Sequence, residues 1–141
     1  MRCESLHVTL AFLGEIDIER MALLHEIAAT IEVPSFTLRL DKLGCWHHIV
    51  WAGCTATPPA LAALVGQLAA SLGAAGFSLE DRPFAAHATL LRNARCDRLE
   101  QALPAINWPA GEFVLAQSSA TGYTLIGRWS LGMNASQRRE S

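Results

Sequence analysis

An α+β fold of two similar lobes, with antiparallel sheets around a central cleft and helices on the outside, is predicted by three features of the sequence. Its strand and helix signals run β, α, β, β, α, β, α, β, β, without the strict alternation of a parallel α/β sheet. That order contains a repeat: His7-Val8-Thr9-Leu10 returns as His87-Ala88-Thr89-Leu90 after 80 residues, Phe36-Thr37-Leu38 as Phe113-Val114-Leu115 after 77, and Trp51-Ala52-Gly53 loosely as Trp129-Ser130-Leu131-Gly132 after 78. The chain has 141 residues, 51% hydrophobic and 17% charged, enough for one domain with an ample core. The expected organisation is a single bilobal domain over 1–132, with repeats at 6–54 and 86–132, a connecting helix at 58–73, and a disordered tail at 133–141.

Each element has a local reason. Leu24, Ile27, Ala28 and Ile31 recur at i, i+3, i+4, i+7, which predicts an amphipathic helix over 17–31 that Val33-Pro34 stops. The second helix opens at Thr57 with Pro58-Pro59 in its first turn, shows Leu61, Leu64, Val65, Leu68 and Leu72 on one face, and should end at Gly73. Asp97, three residues before Glu100, resembles a capping box and predicts a short third helix limited by Pro104. Alternation with β-branched or aromatic content predicts strands over 6–13, 36–43, 48–54, 86–92, 112–118 and 122–131.

Composition narrows the class. No stretch of 18 residues is free of polar groups, so no membrane span is predicted, and Arg2, Cys3, Glu4 and Ser5 after Met1 give no apolar signal region. A cytoplasmic location is expected. Cys3, Cys45, Cys54 and Cys96 lack any CxxC spacing and are expected as reduced thiols. Cys45, His47, His48 and Cys54 match no standard zinc pattern. The net charge is −2, with Lys42 the only lysine, so the basic stripe that tracks an extended duplex is missing. A nucleic-acid ligand should therefore be short or held by its end. His25 falls outside the apolar stripe of its helix and is expected in solvent, while Trp46, in the turn between two strands, is the best candidate for the rim of a pocket.

The repeated His-x-Thr carries the chemistry. Side chains alternate along a strand, so His7 shares a face with Thr9, and His87 with Thr89. Two facing strands can gather two imidazoles and two hydroxyls around one small site. A neutral imidazole takes a proton from an attacking oxygen, an imidazolium gives one to a leaving oxygen, and the hydroxyls donate to the non-bridging oxygens of phosphorus. No metal or other cofactor is needed. Chance supplies roughly 0.3 such motifs in this composition, so two at equivalent repeat positions are informative.

The segments His7-Val8-Thr9-Leu10-Ala11-Phe12-Leu13-Gly14-Glu15 and Arg82-Pro83-Phe84-Ala85-Ala86-His87-Ala88-Thr89-Leu90-Leu91-Arg92 resemble the two motifs of the two-histidine (2H) phosphoesterases. The nearest branch is the RNA 2′,3′-cyclic phosphodiesterases, also called 2′-5′ RNA ligases. The likeness extends from Leu6 to about Gly132 through Leu43-Gly44, Trp51-Ala52-Gly53 and Gly127-Arg128-Trp129-Ser130-Leu131-Gly132. It departs from the branch at His47-His48, where a proline-arginine type entry to the strand is usual. The resemblance implies hydrolysis of RNA-terminal or nucleoside 2′,3′-cyclic phosphates to a 2′-phosphate, with reversible 2′-5′ ligation allowed. Catalytic His7 and His87, phosphate-binding Thr9 and Thr89, and substrate-binding Arg92 and Phe12 follow from it. The expected partners are short RNA ends or cyclic nucleotides. A non-catalytic binder of such ends is the alternative. An offset of five from histidine to Arg92 or Phe12 turns onto the opposite face of an ideal strand, so a bulge or strand end must reorient them. Phe12 also has a plain reading as core. The branch carries a strand and helix before the first motif that this sequence does not show, so an uncovered sheet edge and self-association are expected.

Overall fold

The computed structural model describes residues 6–79, 84–95 and 99–132, leaving aside the side chains of residues 99 and 100. The expected tail and the cap residue Asp97 lie outside the described residues. The class is α+β, with antiparallel sheets and two helices. The chain forms two compact units, one from Met1–Leu10, Thr37–Pro58 and Phe84–Pro109, the other from Ala11–Phe36, Pro59–Pro83 and Ala110–Ser141. Each unit therefore draws on both sequence repeats.

The first unit is built on strands β1 (Phe36–Trp46), β2 (Ile49–Gly53), β3 (His87–Leu91) and β4 (Leu99–Ala110), in the spatial order β3-β2-β1-β4. The first two form a hairpin in which Trp46 faces Ile49 across a two-residue turn. His47 and His48 make that turn at φ 48° and 62°. Positive φ at both turn residues matches the right-handed twist of the flanking strands. His48 thus belongs to the turn and not to the strand expected from it. The His48 carbonyl accepts from the Ala94 N–H at 2.9 Å, which ties the turn to the segment after β3. Leu38, Leu40, Cys45, Ala52 and Ala88 are buried in this unit.

Two expectations fail here. Residues 6–13 do not form a continuous strand; a single antiparallel bridge, Val8 to Ala88, joins that segment to β3. The expected helix at 97–104 is replaced by β4, because pairing with β1 outweighs the weak helical signal of a seven- or eight-residue stretch. Its place at the edge of the sheet tolerates Pro104 and Pro109.

The second unit packs helices α1 (Met21–Thr30, after a 3₁₀ turn Ile18–Arg20) and α2 (Pro59–Ala74) with the hairpin β5 (Glu112–Ser119) and β6 (Gly122–Ser130). Leu24 and Ala28 on α1, and Leu61, Leu64, Leu68 and Leu72 on α2, are its buried stripes. The second helix runs to Ala74 and is closed by Gly76, beyond the expected Gly73. Gly76 adopts φ +90° and its N–H donates to the Gly73 carbonyl at 3.0 Å, while the Phe77 N–H donates to the Leu72 carbonyl at 3.0 Å. This paired closure requires a left-handed residue, which glycine adopts without a Cβ clash. Arg20 completes it: Nη2 donates to the Ala75 carbonyl at 2.9 Å and the guanidinium lies 3.8 Å from the Phe77 ring centroid. His25, expected in solvent, is half-buried with its ring edge against Trp129 at 5.5 Å.

The expectation of four reduced thiols fails at Cys45, which is disulfide-bonded. Cys54 is free and buried, and burial first, then the Asp41 charge, pushes its thiol pKa up. No helix among the described residues is long and apolar enough to cross a membrane.

Candidate active site

The bridge from Val8 to Ala88 fixes the relation of the two motifs. In an antiparallel pair with that register, His7 stands across from Thr89 and Thr9 across from His87. Val8 and Ala88 face one way and these four the other. The face is shared further across the sheet, since His87 is paired with Gly53 and Thr89 with Trp51 on β2, and Lys42 and Gly44 on β1 are paired with Gly53 and Trp51. Lys42, Gly44, Trp46, Trp51, Gly53, His87 and Thr89 therefore project to one side, together with His7 and Thr9.

Glycine at positions 44 and 53 makes room on that face. The Trp51 indole lies across both, so close that a Cβ on Gly44 would fall 2.1 Å from Cζ2 and one on Gly53 2.8 Å from Cζ3. The indole is buried, and its Nε1 has no hydrogen-bond partner among the described residues. It forms a low apolar floor beside His87, with ring centroids 6.3 Å apart. Trp46 stands on this floor, 4.4 Å from Trp51 and 5.4 Å edge-on from His87. Between these rings, Lys42, Cys54 and Phe84 lies a cavity of about 260 Å³.

His87 is half-buried in this cavity wall, and its Nδ1–H donates to the Ala85 carbonyl at 2.8 Å. A carbonyl only accepts, so the proton of the neutral imidazole is held on Nδ1 and the lone pair on Nε2. His7 is likewise half-buried, and Thr89 too, whereas Thr9 is exposed. The arrangement can accept one proton, deliver another and donate hydroxyl hydrogens to an oxyanion.

Arg92 and Phe12 sit differently. Strand β3 ends at Leu91, with a register shift opposite Val50 and Trp51, and Asn93 follows at φ 58°. Both a bulge and a strand end thus release Arg92, which is exposed, from the alternation of the strand. Phe12 belongs to the second unit and is 62% exposed, which excludes its reading as core. Lys42 and Phe84 line the cavity without having stood out in the sequence. Only the strand register reveals that Lys42 shares a row with His87. Among the described residues no cluster of three metal-ligating side chains occurs, His47 and Cys54 included.

Comparison with known proteins matches these features to one family. A family model described as the 2′-5′ RNA ligase superfamily matches residues 1–119. An RNA 2′,3′-cyclic phosphodiesterase of Escherichia coli K12 is 38% identical over 136 residues, covering 91% of this chain and 77% of that protein. Another, of Geobacillus stearothermophilus, is 38% identical over 96 residues, covering 63% of this chain and 30% of that protein. The crystal structure of E. coli LigT complexed with 3′-AMP superimposes with a TM-score of 0.79 at 36% identity, covering 92% of this chain and 79% of that one. LigT has also been solved with ATP, NADP+ and phosphate.

Proposed function

Since the chain belongs to the 2′-5′ RNA ligase superfamily, we propose that it is an RNA 2′,3′-cyclic phosphodiesterase, hydrolysing RNA-terminal or nucleoside 2′,3′-cyclic phosphates to phosphomonoesters. The observation that carries this reading is the bridge between Val8 and Ala88, whose register sets both His-x-Thr segments on one face. His87 is the base: with Nδ1–H engaged by Ala85, its Nε2 takes a proton from water. The water oxygen bonds to phosphorus, the bond from phosphorus to the 3′-oxygen breaks, and His7 as imidazolium protonates that leaving oxygen. The 2′-phosphate remains. Thr9 and Thr89 donate to the non-bridging oxygens as charge develops on them. Arg92 supplies a further substrate contact, to phosphate.

The cavity supports a small substrate. At about 260 Å³ it lies below the ~300 Å³ where pockets for drug-sized ligands begin, which suits one nucleotide at the end of a chain. With a 5′-hydroxyl in the place of water, the same two proton transfers join it to a 2′,3′-cyclic end through a 2′-5′ bond without ATP, the 3′-oxygen again leaving.

The test is incubation with adenosine 2′,3′-cyclic phosphate and identification of the product. Release of adenosine 2′-phosphate is expected. Release of the 3′-isomer overturns the assignment of the leaving oxygen, and saturable binding with no turnover makes the protein a binder of nucleotide ends instead.

A further inference from the structure

We propose that Lys42 binds the phosphate on the 5′ side of the terminal nucleotide, so that the site prefers an RNA end to a bare nucleoside cyclic phosphate. The proposal rests on the reading of the site given above, and names the feature by which that site recognises its substrate as part of a chain.

The sheet sets Lys42 and His87 in one row. Lys42 is paired with Gly53 on β2, and Gly53 with His87 on β3, so both side chains rise from the same face two strand spacings apart, about 10 Å between backbones. Gly53 between them has no side chain, and the Trp51 indole that covers it lies flat. Both Lys42 and His87 line the same cavity, with the Trp51 indole between them. A ligand reacting at His87 extends over Trp51 toward the ammonium.

The ammonium is positioned for this contact. Nζ lies 5.7 Å from the centroid of the Trp51 ring, where the ring face attracts the cation. Lys42 forms no ion pair among the described residues. The neighbouring acid, Asp41, is committed elsewhere: its Oδ1 accepts from the Thr55 backbone N–H at 2.7 Å and from the Thr55 hydroxyl at 3.0 Å. Half-burial leaves the cation less hydrated than a surface lysine while still within reach of a ligand.

The charge pattern identifies the ligand group. The substrate has one anion at the cyclic phosphate, which the two His-x-Thr pairs take. Its next anion is the phosphodiester one ribose away, on the 5′ side. A lysine acts on phosphate as a point charge and needs no planar partner. Among the described residues Lys42 is the only lysine or arginine that lines this cavity, which gives it a local cation.

Two substrates separate the outcomes: adenosine 2′,3′-cyclic phosphate and the same compound carrying a 5′-phosphate. The wild type should favour the 5′-phosphorylated compound in kcat/KM by roughly tenfold or more, the scale of one charge-assisted contact. Lys42→Met, which keeps the aliphatic stem on Trp51, should lose that ratio, and Lys42→Arg should keep most of it. Equal losses on both substrates, or no preference in the wild type, overturn the proposal. If neither compound is turned over, the phosphodiesterase reading fails on its own. Lys42 is then judged by binding of adenosine 3′,5′-bisphosphate against 3′-AMP, where a preference that survives Lys42→Met overturns it and one that disappears supports it.

Discussion

His87 shows how a single backbone contact fixes chemistry at the residue scale. The Ala85 carbonyl, two residues away, holds the Nδ1 proton and leaves Nε2 as the basic atom. His7→Ala and His87→Ala should each lower turnover of the cyclic phosphate by roughly two to four orders of magnitude, with the double variant little worse than the poorer single one. Single-turnover rates of the three proteins decide this; multiplicative losses would show that the imidazoles act independently. Thr89→Val should cost less than either histidine if the hydroxyl only stabilises developing charge. Trp51 and the glycines beneath it show a second residue-scale constraint, because no side chain larger than hydrogen fits under the indole at position 44.

At the scale of elements, the hairpin β1–β2 carries the site and is braced at both ends. Asp41 binds Thr55, and this bond to the backbone N–H chiefly holds the carboxyl pKa below its ordinary value of 3.8, against a smaller opposing effect of burial. A depressed carboxylate stabilises the folded state above the ordinary value, and the contribution is lost as pH falls through the folded one. Asp41→Asn lacks it throughout. The wild type should therefore melt above the variant at pH 7, and the gap should narrow below pH 4; an equal gap at pH 3 and pH 7 would contradict the assignment. At the other end, the turn residues His47 and His48 sit in a backbone region unfavourable to L side chains. His47→Asn, which tolerates that region, should raise the unfolding free energy by a few tenths to about 1 kcal/mol, read as a higher urea midpoint at constant slope. A lower midpoint would mean that the His47 ring makes a contact of its own.

For the whole molecule, catalysis needs one imidazole neutral and the other protonated at the same moment. The pH profile of kcat/KM should therefore fall on both the acid and the alkaline side. Replacing either histidine should remove one limb of what activity remains, and a flat profile from pH 5 to 8 with chemistry rate-limiting would contradict the two-imidazole scheme. Proton transfer between side chains and solvent also predicts full activity in a strong chelator. Complete loss, restored by a divalent metal, would contradict it.

The sequence by itself determined the pair of His-x-Thr motifs, the face each side chain takes relative to its neighbours, the two amphipathic helices and most of the strands. These follow from periodicity and from local residue chemistry, which act over a few residues. It also carried the family, through motifs distinctive enough to stand apart from chance. Tertiary pairing decided the rest. The segment around Val8 is held to β3 by one bridge where alternation alone predicted a full strand, and residues 99–110 became an edge strand because β1 offered them a partner. The stop of the second helix moved from Gly73 to Gly76, since only the latter takes the left-handed conformation that closes it. The row from Lys42 through Gly53 to His87 was invisible in the sequence, where those residues stand far apart. Cross-strand neighbours are set by register, and register is a property of pairing between distant segments that no local pattern encodes.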